Sequence, residues 1–160
     1  MRIIGSTELV EVAGIKNIPA KTDTGADSSA IWASNIDMLE DGTLVFSLFD
    51  EKSPFYTGER LKTKDYKIKN VRSSNGAKQI RYRVILPLKI EDTTLETAFT
   101  LANRSKNHFP ILIGRRTIEK GNFLVDVTKK AIPLKKPIKS STLNQKMREN
   151  PYGFHQKYVK

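Results

Sequence analysis

The chain has 160 residues, of which 38% are hydrophobic and 28% charged, and its formal net charge is +11. That is the size of one domain with one core, and the balance is that of a globular chain and not a disordered one. It holds no Cys, which excludes disulfides, thiol nucleophiles and Cys-based metal sites, and no run approaches the roughly 18–20 apolar residues that a membrane helix needs.

The first eight residues contain no long apolar stretch, so no signal peptide is expected and the expected location is cytoplasmic, with no membrane partner. Ile3–Ile4 and Leu9–Val12 suggest a first hairpin leading to Ile18-Pro19-Ala20. Lys21–Ala26 reads as a strand end running into a turn, and Ser28–Ala33 as the next strand. Leu44–Phe49 is a short apolar strand of β-rich composition. Ile68–Ser73 and Gln79–Leu88 flank Ser74-Asn75-Gly76-Ala77. Asn-Gly between extended runs signals a hairpin, because both residues tolerate positive φ. Ile80–Ile90 alternates like a half-buried strand, and Thr93–Leu101 pairs with it through the acidic turn Glu91-Asp92. After Ile111–Gly114, Arg115–Gly121 reads as one or two helical turns closed by Gly121. Phe123–Val127 is a last strand. Beyond Lys130, Pro133, Pro137 and Pro151 break regular structure, with a short helix at Thr142–Glu149. The expected fold class is therefore all-β, a closed β-barrel with one short helix near the C-terminal end of a domain spanning 1–130, followed by a basic extension over 131–160.

The charge is uneven. Residues 1–128 carry 19 Lys and Arg against 16 Asp and Glu, whereas 129–160 carry 9 against 1. A basic tail attracts polyanions such as nucleic acid, the ribosome, an acidic membrane or an acidic peptide. The plainer account is a solvated tail that aids solubility, since no surface of interleaved aromatic residues is recognised beside the charges.

Two short motifs carry the chemistry. Lys21-Thr22-Asp23-Thr24-Gly25-Ala26-Asp27 comes early and Ile111-Leu112-Ile113-Gly114-Arg115 comes late. In the first, Gly25 allows backbone angles barred to other residues, Thr24 is able to hydrogen-bond across to a symmetry mate, and Asp23 is presented at a rigid point. Alone, the motif is an ordinary turn with a carboxylate. Peptide hydrolysis by carboxylates needs two of them sharing one proton, one acting as base toward water while the other polarises the carbonyl. The chain holds one Asp-Thr-Gly, so the second must come from another subunit across a twofold interface, a homodimer.

Together these motifs resemble the retropepsin family, in which Asp-Thr-Gly-Ala comes early and Ile-Ile/Leu-Gly-Arg comes late, before a short helix. The resemblance implies the acid-protease barrel, catalysis by Asp23, Thr24 and Gly25, and support from Ala26, Asp27, Ile113, Gly114 and Arg115, with Asp27 pairing Arg115. It is closer still to a bacterial and archaeal group of retropepsin-like proteins known as ATP-dependent zinc proteases, often found with ATP-grasp peptide ligases such as a glutamate ligase. This likeness is carried by Lys21–Ser29, Val71–Gly76, Arg81–Val84, Asn103-Arg104-Ser105 and Phe109–Arg115, and covers about 3–128. Asn103 and Gln79 depart from it, standing where acids are usual. By analogy the hairpin near Arg72, Ser73, Asn75 and Gly76 is a flap over the substrate, and Arg72, Arg81, Arg83 and Arg104 are placed to contact acidic groups. The Asp50–Asp65 region reads as an insertion that alters the cleft.

The residues give zinc no support. His108 and His155 are the only histidines, neither lies in His-Glu-x-x-His, and no Gly-x-x-x-x-Gly-Lys-Ser/Thr loop is present for ATP. No cofactor and no metal are expected. The expected function is an aspartic-type endopeptidase, homodimeric, acting on peptides that are acidic or ligase-made. The alternatives are a non-catalytic peptide-binding module whose basic tail docks on RNA or the ribosome and, more weakly, a metal-dependent hydrolase.

Overall fold

The structure, a computed structural model, describes residues 1–72, 76–134 and 138–160, with the backbone alone for 138–141. Among these, ten strands and a few helices follow in order: β1 (Arg2–Val12), β2 (Ile15–Thr22), β3 (Ser29–Met38), β4 (Leu44–Leu48), β5 (Leu61–Thr63), β6 (Tyr66–Arg72), β7 (Lys78–Ile90), β8 (Thr93–Ala102), β9 (Ile111–Ile113), α1 (Arg115–Lys120), β10 (Phe123–Lys130), α2 (Ile138–Glu149), α3 (Pro151–Phe154) and a π-helical turn (His155–Val159).

Six strands close on themselves. The neighbours run β1-β2-β9-β3-β8-β7, and β7 returns to β1 through Glu11 opposite Lys89 and Val12 opposite Leu88. The result is an all-β closed barrel, as the strand pattern predicts. β10 lies outside β1 in parallel, β6 extends the sheet from β7, and β4 and β5 form a side sheet on the far half of β3. β7 shows why the barrel forms. Val84, Leu86, Leu88 and Ile90 are buried while Ile85, Pro87 and Lys89 are exposed, a period of two that puts one face inside. Ile18, Ile31, Phe99 and Ile111 meet these side chains with no exposed surface, each burial stabilising the fold by about 1.5–3 kcal/mol.

Two local readings differ from the structure, and a third, the helix end at Gly121, holds with its own geometry. Ile3–Ile4 and Leu9–Val12 are two ends of the single strand β1, and its hairpin partner is β2 across Ala13-Gly14. The polar stretch between them looks like a break, yet Thr7 and Glu8 are buried, and a bulge between Gly5 and Thr7 lets β10 cross so closely that a Cβ on Gly5 would meet the Lys129 carbonyl oxygen at 2.3 Å. Gly121 does end α1, but in right-handed geometry (φ −79°); Asn122 takes the left-handed angle (φ 54°). A Cβ at 121 would lie 2.1 Å from the Phe123 ring, so a side chain there requires that buried ring to move. Pro151 starts a helix instead of breaking one. It sits in the first turn of α3, where a missing N–H costs nothing, and the Asn150 side chain caps that turn by accepting from the Gly153 N–H at 3.1 Å.

Candidate active site

The loop bearing Asp23 is held from below by β9. Parallel pairing sets Ala20, Lys21 and Thr22 beside Ile111, Leu112 and Ile113, and the Asp23 N–H donates to the Ile113 carbonyl at 2.8 Å. The Asp23 carboxylate turns back over its own loop, Oδ1 accepting from the Gly25 N–H at 3.0 Å and the Ala26 N–H at 3.2 Å. These bonds satisfy donors that the tight turn would otherwise orphan. Asp23 is half-buried, while Thr24 and Gly25 form an exposed apex. Thr22 anchors the approach, its hydroxyl bonding to the Gly5 and Ser6 carbonyls at 2.9 and 3.0 Å.

α1 holds the loop from the other side. The Arg115 N–H donates to the Ala26 carbonyl at 2.7 Å and the Arg116 N–H to the Asp27 carbonyl at 3.2 Å, so the loop caps amides that a helix start leaves unpaired. Gly114 passes beneath with no room for a side chain, since a Cβ there would lie 2.4 Å from the Ser28 carbonyl carbon. Its N–H donates to the buried Ser29 hydroxyl at 3.0 Å, and Ser29 shares a 2.6 Å hydrogen bond with buried Thr117. The Asp27 carboxylate bridges two guanidiniums, Arg115 Nη2 at 2.8 Å and Arg116 Nε at 3.2 Å. Desolvation works against the charge on Asp27, and the charge of Arg116 with hydrogen bonds from both arginines outweighs it, holding the carboxyl below its ordinary value.

The hairpin of β6 and β7 reaches the same loop, with Lys69 donating from Nζ to the Ser28 hydroxyl. Register places Lys67 opposite Arg83 and Lys69 opposite Arg81, so four cations share the face that meets the loop. Like charges directly opposite each other destabilise a sheet. Arg81 binds the Gln79 side-chain oxygen through Nε and Nη2 at 3.1 and 2.9 Å. Arg104, half-buried, donates from Nε to the Phe109 carbonyl at 3.0 Å. Burial, and next the charge of Arg81, hold its guanidinium below the ordinary value. Among the described residues the ion pairs join other groups, leaving Arg81 and Arg104 without a carboxylate. A cavity of about 300 Å³ opens beside Ser28, with Lys67, Arg83, Arg116 and Lys120 in its wall and Asp65 as its one carboxylate.

The structure therefore brings Asp23, Thr24, Gly25, Ala26, Asp27, Ile113, Gly114 and Arg115 into one loop-and-helix unit. It places Arg81 and Arg83 on the hairpin face that meets this unit, and Arg104 near Arg81. Arg72 pairs with Lys78 and projects from the opposite face. Gly76 takes a turn angle of φ 82°; Ser73 and Asn75 lie outside the described residues. Ser29, Thr117, Arg116, Lys67 and Lys69 escaped sequence reasoning. The available signals were a Ser opening a buried strand, a Thr in the first turn of a helix, and cations at matching positions in a hairpin. Asn103 bonds locally, its side chain accepting from the Ser105 N–H at 3.1 Å. The segment after β4 packs Phe55 against Phe49, ring centres 5.9 Å apart, and delivers Asp65 and Tyr66 to the cavity.

The family model described as "Retropepsin-like aspartic endopeptidase RimB" matches residues 3–136. The chain belongs to the RimB-like family. A crystal structure of a Legionella pneumophila protein of unknown function is similar to this RimB-like chain at a TM-score of 0.63 and 26% identity, covering 81% of this chain and 95% of that one. Two proteins named "Probable alpha-L-glutamate ligase" are also similar. The one from Shewanella pealeana is 29% identical over 121 residues, 72% of this chain, and the one from Desulfotalea psychrophila 30% identical over 122 residues, 73% of this chain. The chain spans about a quarter of the length of these relatives, with the match covering 26% of each.

A zinc centre takes three or more N, O or S ligands, and among the described residues no three His, Asp or Glu side chains converge; His108 instead packs edge-on against Phe109, ring centres 5.0 Å apart. Among the described residues no helix is long and apolar enough to cross a membrane.

Proposed function

We propose that this RimB-like chain is an aspartic endopeptidase whose active site is completed by a second copy, each contributing one Asp23. The observation that carries the reading is the loop itself. Asp23 is fixed by β9 on one side and α1 on the other, yet the apex at Thr24 and Gly25 remains exposed, as half of a shared site requires. Two Asp23 carboxylates brought to about 3 Å share one proton, because like charges so close cannot both ionise. The ionised member takes a proton from water as the water attacks the peptide carbonyl, and the protonated member hydrogen-bonds the carbonyl oxygen as it gains charge. The hairpin above the loop then acts as the flap.

The preferred substrate is an acidic peptide. Lys67, Lys69, Arg81 and Arg83 face one another in like-charged pairs on the side of the hairpin that meets the loop, and anionic side chains would relieve that repulsion. Relatives named as alpha-L-glutamate ligases carry a similar stretch, which supports glutamate-rich, ligase-made peptides as the substrate class.

Replacing Asp23 with Asn tests the reading. Cleavage of a glutamate-rich peptide, followed by mass spectrometry, should fall on the order of 10³-fold or more, while sedimentation still shows a dimer. The same peptide with Gln in place of Glu should be cut far more slowly by the unaltered protein. Undiminished cleavage by the Asp23→Asn protein sinks the proposal.

A further inference from the structure

Residues 138–160 lie wholly beyond the stretch matched by the family model, which ends at 136. They form a helical unit whose main packing is internal, α2 against α3 and α3 against the π-helical turn. The unit carries five cations, Lys139, Lys146, Arg148, Lys157 and Lys160, against a single acid, Glu149. From Thr142 to Glu149 every side chain of α2 is exposed except half-buried Met147. Over Thr142–Glu149 the apolar side chains of α2 are Leu143 and Met147 alone, one turn apart, a stripe far narrower than one laid into a hydrophobic groove or an acyl boundary.

The folded tail also assembles what the linear sequence disguised. Tyr152, Phe154 and Tyr158 sit among the cations, with Phe154 and Tyr158 in ring contact at 4.7 Å and Lys157 Nζ 5.2 Å from the Tyr158 ring centre. A hydrogen bond from Lys157, and next the charge of Lys146, lower the Tyr158 hydroxyl below its ordinary value. Tyr152 is 77% exposed, and Tyr158, packed against Phe154 on one side, is still 46% exposed. Cations that track a phosphate backbone beside open aromatic faces on which bases stack are the two components of single-stranded nucleic-acid binding.

We propose that the unit 138–160 binds single-stranded nucleic acid, with Lys146, Arg148 and Lys157 on phosphates and Tyr152 and Tyr158 stacked on bases. This goes beyond the peptidase reading and stands apart from it, so the Asp23→Asn protein should bind unaltered.

The test uses the full chain and a fluorescein-labelled oligouridylate of about 12 nucleotides, with binding followed by anisotropy between about 50 and 200 mM salt. Reversing Lys146, Arg148 and Lys157 together to Glu should weaken binding by more than about tenfold and flatten the salt dependence, by roughly 0.7 in log–log slope for each phosphate no longer neutralised. Tyr152→Leu with Tyr158→Leu should cost about tenfold with the slope unchanged, while the Phe versions retain binding. Unaltered thermal unfolding of the barrel shows that the variants fold. Oligouridylate binding indifferent to the charge reversal overturns the proposal. So does binding indifferent to the Leu pair, which leaves only counter-charge attraction, and so does binding of anionic phospholipid vesicles without binding of the oligonucleotide.

Discussion

Asp27 and Arg115 are 88 residues apart in the chain and 2.8 Å apart in the fold. Their contact ties the end of the Asp23 loop to the first turn of α1, and Arg116 adds a second bond to the same carboxylate. The pair orients two elements that were made far apart in sequence, and Arg geometry suits the task because its planar fork meets a carboxylate in a fixed direction.

Asp27→Asn should therefore impair peptidase activity and loosen the loop, with a distinctive pH dependence. The folded carboxyl lies below the ordinary 3.8, so the stability it contributes is fully present above 3.8 and is lost as pH falls through the folded value. Thermal unfolding of the two proteins should differ by a constant amount near neutrality and converge in acid. High salt should narrow the gap too, because both partners are solvent-accessible.

Ser29→Ala leaves the Gly114 N–H and the Thr117 hydroxyl without their partner in a buried site. A loss of about 1–3 kcal/mol is expected, read as a fall in melting temperature of roughly 2–4 °C per kcal/mol. Adding Thr117→Val should cost less than the sum of the single changes, since the two hydroxyls serve one network.

Gly114→Ala forces a Cβ into the backbone of Ser28. Backbone cannot rotate away as a side-chain tip would, so the cost is about 1–3 kcal/mol of overpacking, and the Asp23 loop must shift. Denaturant unfolding should show the loss of stability, and the peptide assay should show a drop in kcat larger than stability alone explains.

Glu8→Gln should stabilise the protein at neutral pH. Glu8 is 5% exposed and accepts from the Gly5 N–H at 2.7 Å, a bond that Gln can keep. Burial, opposed by that hydrogen bond and reinforced by Glu91, raises its carboxyl above the ordinary 4.5. The stability it contributes is thus complete below 4.5 and lost as pH rises through the folded value. The variant's advantage, roughly 2–4 °C per kcal/mol in melting temperature, should vanish on acidification below that range.

The barrel and the loop bearing Asp23 are legible in the sequence because each rests on a local signal. Alternation in Val84–Ile90 marks one buried face, and Asp23-Thr24-Gly25 with Ile113-Gly114-Arg115 marks a loop and the strand beneath it. What escapes depends on pairings between distant segments. Nothing near Ser29 announces that it will meet Gly114 and Thr117, and Lys67 and Lys69 acquire meaning only when register sets them opposite Arg83 and Arg81. Polar Thr7 and Glu8 split β1 when the chain is read linearly; their burial follows from β10 crossing at Gly5, a tertiary event. Pro151 reads as a breaker until the capping Asn150 before it is taken into account.

The parallel pairing of β2 with β9 also sets an order of events during synthesis. Asp23 emerges early, but its supporting strand and helix lie about 90 residues later, and closing a loop of that length costs on the order of 4 kcal/mol of chain entropy. A chain still being translated, or cut short before Ile111, carries Asp23 without the strand and helix that hold its loop. Such long-range contacts slow folding. The Asp23 loop therefore takes its final shape only when nearly the whole barrel has been made.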